Sequence, residues 1–161
     1  MRKVLFSLLA LMLFFISCGR PCSITFNDAL VKANAAISNI SVSYQNSFVK
    51  AIESESYEDI TALTDSTLVK IDQGLDFVKA LKVPEGGVVF KATALKSYEN
   101  FRDLVETSKK FATLTKESIP EDFDKIGEEY SDKFEEYSKS FDELIKVQMD
   151  YANEVGCNVY K

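Results

Sequence analysis

Four clusters of acidic residues are the side chains whose type and spacing could support catalysis or metal binding. They are Glu53/Glu55/Glu58/Asp59, Glu128/Glu129, Glu135/Glu136 and Asp142/Glu143. Two neighbouring carboxylates can act as a general acid and base, or bind Ca²⁺ through oxygen. The 161-residue chain has no histidine, so it lacks the usual acid–base group at neutral pH and the commonest transition-metal ligand.

The spacing of these acids nevertheless favours a solvated helix surface over a site. The pairs between residues 128 and 143 flank an apolar seam and alternate with Lys133, Lys139 and Lys146. No serine has the context of a nucleophile elbow, and Gly86-Gly87 lacks the strand and the Lys/Ser of a phosphate-binding loop. We therefore expect no enzymatic activity, no metal and no cofactor. A formal charge of −6 also disfavours nucleic acid as a partner.

The first 17 residues, MRKVLFSLLALMLFFIS, have the pattern of a secretory signal peptide. Arg2 and Lys3 precede Val4 to Ile16, a run in which only Ser7 is polar. A membrane-spanning helix needs roughly 20 apolar residues, so this run is too short to be one. We expect residues 1–17 to be removed from the mature protein.

The end of this run, Phe15-Ile16-Ser17-Cys18-Gly19, resembles the lipobox of bacterial lipoproteins. In that motif the cysteine is diacylated, becomes the first residue after cleavage and is usually also N-acylated. Ser17 and Cys18 match the motif, whereas Phe15 replaces the usual leucine. The resemblance implies lipidation of Cys18 with fatty acids such as palmitate. The alternatives are a secreted protein cut near Ser17 with Cys18 a plain thiol, and an uncleaved anchor.

Lipidation of Cys18 would determine how and where the protein is held. Two or more acyl chains, at ~0.8 kcal/mol per buried CH₂, make a stable anchor. Removal of residues 1–17 leaves 17 basic against 25 acidic residues, a net charge of −8, which anionic lipid repels. Attachment through the acyl chains alone is therefore expected. Because Gly19 replaces the aspartate that retains many lipoproteins at the inner membrane, the resemblance favours the outer membrane of a two-membrane bacterial envelope.

The two other cysteines, Cys22 and Cys157, are candidates for a disulfide outside the cytosol. Cys22 precedes the first predicted helix and Cys157 follows the last, so they meet only if both ends of the chain lie at the same end of the fold. The loop-entropy model assigns such a link roughly 5 kcal/mol. The alternative is two unrelated thiols.

After a lipidated tether at residues 18–25, apolar residues spaced by three and four predict four amphipathic helices in a bundle domain at 26–161. The segments run from about Phe26 to Glu53, Tyr57 to Lys82, Val88 to Lys116, and Pro120 to just before Gly156. The apolar stripe of the first consists of Leu30, Ala33, Ile37, Ile40, Tyr44, Phe48 and Ile52. The stripe of the third consists of Ala94, Tyr98, Phe101, Leu104, Val105, Phe111 and Leu114.

The ends of these segments carry capping and turn signals. Thr25 or Asn27 can cap the first helix, and Ser56 the second. Glu85-Gly86-Gly87 is predicted to be a turn after Pro84, and Ser118-Ile119-Pro120-Glu121 has the pattern of a capping box. These signals leave only short connections between the helices.

The fourth segment contains a seven-residue repeat, in which Glu-Glu-Tyr-Ser occurs at 128–131 and again at 135–138. Its apolar seam consists of Phe123, Ile126, Tyr130, Phe134, Tyr137, Phe141, Leu144, Gln148 and Tyr151. These rings could form an exposed platform for stacking bases or sugars. We expect them to form the bundle core instead, because the same stripe cannot be both the buried side of the helix and an exposed surface.

Short connections between helices of similar length predict an all-α fold, an antiparallel up-down-up-down four-helix bundle. The alternative is a more open pair of helical hairpins that completes its core with a partner.

The chain as a whole resembles a family of small, poorly characterised bacterial surface lipoproteins. The resemblance is carried by the lipobox, by Phe26-Asn27-Asp28 at the start of the first helix, by the segment Leu63 to Asp72, and by the tyrosine-rich acidic fourth helix. This resemblance implies a location and no functional residue beyond Cys18. Two functions are compatible with it. The first is a non-enzymatic interaction or structural module that engages a protein partner near the bilayer. The second is a carrier for a small apolar or amphipathic ligand in the bundle core.

Overall fold

The structure is a computed structural model that describes residues 24–115, 118 and 120–155. Its four helices are α1 (Ile24–Glu53), α2 (Tyr57–Ala80), α3 (Val88–Ser108) and α4 (Pro120–Glu154), with a 3₁₀ helix, η1 (Lys109–Thr113), directly after α3. No strand occurs in these residues. The predicted all-helical class with four helices is confirmed.

The connection between α1 and α2 begins with a tight helix C-terminus. The amide of Ser56 donates to the Ala51 carbonyl at 2.9 Å and the amide of Glu55 to the Ile52 carbonyl at 3.1 Å. Glu55 has a φ of 53°, the left-handed conformation that this Schellman arrangement requires. The predicted cap at Ser56 is wrong, because its hydroxyl makes no capping bond to α2 and instead accepts from Ser54.

The predicted turn after α2 is confirmed at Pro84–Gly87. The amide of Gly87 donates to the Pro84 carbonyl at 3.1 Å, and Gly86 has a φ of 85°. Only glycine adopts this φ without steric cost, as the third residue of a type II turn requires. Lys91 caps the C-terminal end of α2, because its ammonium donates to the carbonyls of Lys79 and Leu81 at 2.7 Å each.

The sequence predicts a single third helix as far as Lys116, but α3 ends at Ser108 and continues as η1. In a 3₁₀ helix, residues three apart lie on the same side. Phe111 and Leu114, three residues apart, are both buried, at 3% and 6% exposed. Every other member of the predicted α3 stripe is also buried.

The core lies where the aromatic rings of the four helices meet. Phe101 of α3 packs on Tyr137 of α4 with ring centroids 4.9 Å apart, and Phe48 of α1 packs on Tyr130 of α4 at the same distance. The backbones of α1 and α4 approach each other less closely than those of α1 and α2, α2 and α3, or α3 and α4. Long side chains therefore fill most of the space between α1 and α4.

A bilayer span requires a long and continuously apolar helix, and none occurs in the described part of the chain.

Candidate functional site: grooves and buried polar groups around α1

The predicted lipidation site Cys18 and the predicted disulfide partners Cys22 and Cys157 lie outside the described residues. Lipidation and pairing therefore stay predictions. The site that the structure describes is built around α1, the helix that follows the predicted tether.

The acidic clusters form a solvated surface and not a converging site. All ten carboxylates of the four clusters are exposed. In the described part of the chain, no group of three or more acidic or cysteine residues is arranged to hold a metal ion. Lys139 forms an ion pair with Glu135 at 2.5 Å, and this hydrogen bond lowers the pKa of the Glu135 carboxyl. Glu135 is therefore ionised and engaged in a surface ion pair.

The aromatic seam of α4 is mainly core, as predicted, with two exceptions. Tyr137, Leu144 and Tyr151 are buried, and the side chains of Ile126, Tyr130, Phe141 and Gln148 are partly buried. Phe123 and Phe134, at 37% and 42% exposed, lie on the surface instead.

The buried tyrosines are neutral hydrogen-bonding groups. Burial raises the pKa of Tyr44, Tyr98, Tyr130 and Tyr137 above the ordinary value of 10.0. At neutral pH these hydroxyls keep their protons, and those of Tyr44, Tyr98 and Tyr137 are hydrogen-bonded to Ser108, Asn34 and Ser41. They are unsuited to act as bases.

A chain of buried polar side chains joins three helices. The hydroxyl of Tyr98 on α3 donates to Asn34 Oδ1 on α1 at 2.8 Å, and Asn34 Nδ2 donates to Gln148 Oε1 on α4 at 2.8 Å. Asn34 is 7% exposed and Tyr98 is fully buried. The bonds set the position of α1 against α3 and α4 at this level.

Sequence reasoning misses Asn34 because the predicted stripe of α1 is rotated. That stripe runs through Ala33 and Ile40, but these side chains are only partly buried, and Asn34 and Ser41 are buried in their place. A signal is present, since Asn34 is four residues after Leu30 and three before Ile37. A hydrophobic stripe does not reveal a polar residue that belongs to it.

A second buried network lies between α1, α2 and the end of α3. The hydroxyls of Tyr44 and Ser108 are hydrogen-bonded, and the Thr64 hydroxyl lies 3.3 Å from Ser108 Oγ. Ser108 Oγ also donates to the Val105 carbonyl at 2.5 Å. These bonds are made at the residue where α3 changes to η1.

A groove of about 810 Å³ runs along the surface between α1 and α2. It is lined mainly by apolar residues, Ala33, Ala36, Ile37 and Ile40 of α1 with Gly74 and Phe77 of α2, and also by the charged Asp28, Lys32 and Lys70. A Cβ at Gly74 would lie 3.0 Å from Ile37 Cδ1, so the glycine allows the two helices to approach closely. Phe77 is 49% exposed at the edge. We call this feature the α1–α2 groove.

A smaller depression of about 230 Å³ lies on the opposite flank of α1, between α1 and α4. Val31, Ala35 and Ser38 line it from α1, and Phe141 and Ile145 from α4. Ile145 is 45% exposed, and Met149, one turn further along α4, is 50% exposed. Both flanks of α1 are therefore open and mostly apolar.

The fold and these surfaces define an all-helical protein whose described part has an open, mostly apolar depression on each flank of α1. The chain matches no protein-family model, no curated protein and no solved structure.

Proposed function

We propose that this chain is a lipid-anchored, non-enzymatic lipoprotein of the bacterial envelope that acts as an interaction module close to the bilayer. The observation that carries this proposal is the apolar α1–α2 groove, which opens on the surface and begins at Thr25. Only six peptide steps separate Cys18 from Ile24, a reach of about 20 Å. A partner in the groove is thus engaged near the membrane.

The proposal includes an antiparallel up-down-up-down arrangement of the four helices. In an antiparallel pair, contacting residue numbers rise along one helix as they fall along the other. Between α2 and the continuous segment of α3 and η1, Asp72 pairs with Arg102 and Asp65 with Lys109. Between that segment and α4, the pairs are Lys96 with Glu143 and Lys110 with Glu129. Both series follow the antiparallel rule and support this topology.

Paired cysteines test the arrangement. A chain with Lys96→Cys and Glu143→Cys is expected to cross-link rapidly through a short bifunctional maleimide, because these side chains are neighbours. The control combines Lys96→Cys with Glu129→Cys, which the antiparallel order places about 21 Å further along α4 at 1.5 Å per residue. Equal cross-linking of the two pairs would contradict the arrangement.

The non-enzymatic part of the proposal is based on the structural roles of the described acidic and tyrosine side chains. The exposed carboxylates form ordinary ion pairs, and the buried tyrosines are neutral. The alternative, a carrier with a ligand inside the bundle, is less well supported. The rings of α1, α3 and α4 pack against one another in the interior, whereas the α1–α2 groove is at the surface.

Metabolic labelling tests the anchor directly. The full-length chain is expected to incorporate labelled palmitate and to fractionate with membranes. The variant Cys18→Ala should lose the label and also the membrane attachment supplied by acyl chains. A wild-type chain without label, together with a variant that stays on the membrane, would refute the anchoring.

A pair of α2 substitutions tests the use of the groove. Phe77→Lys places a charge at the edge of the α1–α2 groove, whereas Val69→Lys places one on α2 outside it, at a residue of similar exposure, 57% against 49%. In proximity cross-linking from membranes, we expect Phe77→Lys to reduce partner recovery and Val69→Lys to leave it near the wild-type level. Equal recovery in both variants would exclude the groove as the contact.

A further inference from the structure

The surface of α1 lacks charge over most of its length. Charged residues make up 27% of the whole chain, yet none occurs in the 17 positions from Ala33 to Val49. The 35-residue α4, by contrast, carries four lysines and twelve acidic residues. A solvent-facing helix in so charged a protein is expected to carry charges on its outer side.

The charge-free run includes a broad exposed surface, which we call the α1 face. Its exposed members are Ala35, Ala36, Asn39, Val42, Ser43 and Asn46, followed by Ser47 and Val49. Val42 and Val49 are 58% and 50% exposed. A low content of Lys, Glu and Asp is one compositional feature of the centre of a protein–protein interface. The α1–α2 groove on one side and the depression beside α4 on the other extend this surface.

The distribution of charge indicates what the α1 face can accept. Four lysines against twelve acids give α4 a net charge of −8, whereas two basic and two acidic residues make α1 neutral. Two copies of this acidic chain that met through α4 would bring like charges together, which disfavours association. The exposed residues of the α1 face carry no charge, and the charged residues that line the adjoining α1–α2 groove, Asp28, Lys32 and Lys70, include both signs, so contact through this surface avoids the repulsion expected at α4.

The α1 face is also chemically complementary to itself. Asn39 and Asn46 each present an amide that both donates and accepts hydrogen bonds, and Ser43 between them presents a hydroxyl that does the same. A two-fold axis places one patch against an identical patch, so each donor can meet an acceptor of the same set. Surfaces made only of donors or of one charge cannot pair in this way.

The size of the surface is adequate for a specific contact. Seventeen helical residues span about 26 Å, and one helix with half of each neighbour is about 20 Å wide. That gives about 500 Å² per chain, or about 1,000 Å² for a pair, which reaches the lower bound for a specific interface.

We propose that the α1 face binds a second copy of this chain, with α1 of each protomer lying along the α1–α2 groove of the other about a two-fold axis. The small side chains of Ala33 and Ala36 and the glycine at position 74 admit a helix at close range. The inference rests on the proposed function, because anchoring holds both copies in one membrane and raises their effective concentration. An amphipathic surface helix that bound lipid through this face would carry Lys, Arg or bulky aromatic residues there, and the α1 face has none.

Photo-cross-linking of the full chain in its membrane tests this proposal. The residue p-benzoylphenylalanine is placed at Asn39 on the α1 face and, as a control, at Ala92 on the exposed side of α3. We expect the chain labelled at Asn39 to form an adduct of twice its mass that contains only peptides of this protein. The chain labelled at Ala92 should form none.

Three outcomes at Asn39 would overturn the proposal: no adduct, an adduct with a different protein, or an adduct with lipid alone. Palmitate labelling of the same samples distinguishes a failure of self-association from a failure of the proposed lipid anchor. Normal labelling without a homodimer adduct refutes self-association only, whereas loss of labelling refutes the anchor.

Charge variants of the exposed Ser43 give an independent measurement. Ser43→Glu brings two like charges to the interface, so the homodimer adduct from Asn39 is expected to fall by about tenfold or more. Co-expression of Ser43→Glu and Ser43→Lys chains should restore it as a mixed adduct, which a folding defect would not do. A Glu variant that cross-links like wild type, or a mixture without rescue, would contradict the two-fold contact.

Discussion

Asn34 hydrogen-bonds α1 to both α3 and α4, and its removal provides a quantitative test of the core. Its side chain accepts from the Tyr98 hydroxyl and donates to Gln148, at 2.8 Å in each case. Asn34→Ala removes both bonds at once. The Tyr98 hydroxyl, fully buried, is then left without its acceptor.

The expected loss follows from these contacts. A hydrogen bond contributes about 1 kcal/mol net, and a buried group left unsatisfied costs about 1–3 kcal/mol. Gln148 is only partly buried, so its amide can turn toward water. We therefore expect Asn34→Ala to lower the free energy of unfolding by about 2–4 kcal/mol, and Tyr98→Phe by about 1–2 kcal/mol.

A double-mutant cycle isolates the bond between the two residues. Removing both partners leaves neither a stranded hydroxyl nor a stranded carbonyl, so the double variant should be more stable than additivity predicts by about 1–2 kcal/mol. Urea unfolding monitored by far-UV circular dichroism measures the four stabilities. Asn39→Ala, an exposed asparagine on the same helix, is the control and should change stability by about 0.5 kcal/mol or less. Additivity within about 0.5 kcal/mol would refute the bond as described.

Three further predictions concern stability. Gly86→Ala should lower the free energy of unfolding by about 1 kcal/mol, because φ at this residue is +85°. Gly127→Ala lies inside α4 with open space around it and should raise the free energy of unfolding by about 0.8–1 kcal/mol. Thermal melting curves in which both variants shift in the same direction would refute this pair of predictions. Lys91→Met removes the ammonium that caps the C-terminal end of α2, and should lower the free energy of unfolding measured in urea by about 1 kcal/mol. The control Lys96→Met breaks only an exposed ion pair and should lower it by about 0.5 kcal/mol or less. Burial raises the pKa of Tyr98 above 10.0, so its stabilising contribution is complete below pH 10 and is lost as the pH rises toward the folded-state pKa. Tyrosinate absorbance in an alkaline titration should therefore rise together with unfolding, and ionisation of every tyrosine near pH 10 without unfolding would contradict the burial.

The helices themselves can be predicted because their signals are local. The acids Glu58 and Asp59 of the first turn and the apolar period of three to four residues predict the start of α2 at Tyr57, and the proline and glycines at 84–87 predict the start of α3 at Val88; the structure has both helices begin there. The end of α3 has no such local signal. The switch to η1 occurs where Ser108 meets Tyr44 of α1, a contact between residues 64 positions apart.

The α1 face likewise combines one feature that the sequence reveals with one that only the structure reveals. The absence of charge from Ala33 to Val49 is visible in the sequence, but it does not say which of these residues face solvent. The predicted stripe assigns Ala33 and Ile40 to the core, and the structure rotates them toward the α1–α2 groove while burying Asn34 and Ser41. A rotation this small leaves the apolar period unchanged, so periodicity alone cannot resolve it.

The sequence by itself determined the helical class and the number of helices, because both depend on residues that are close together in the chain. Processing at Cys18 is predicted from equally local residues. Only the tertiary structure decided which flanks of α1 stay open and which polar groups become buried between helices. Those features depend on how closely helices approach, and that is determined by contacts such as Gly74 with Ile37 between residues far apart in sequence. The chemistry of α1 could be read along the chain, whereas its accessibility could not.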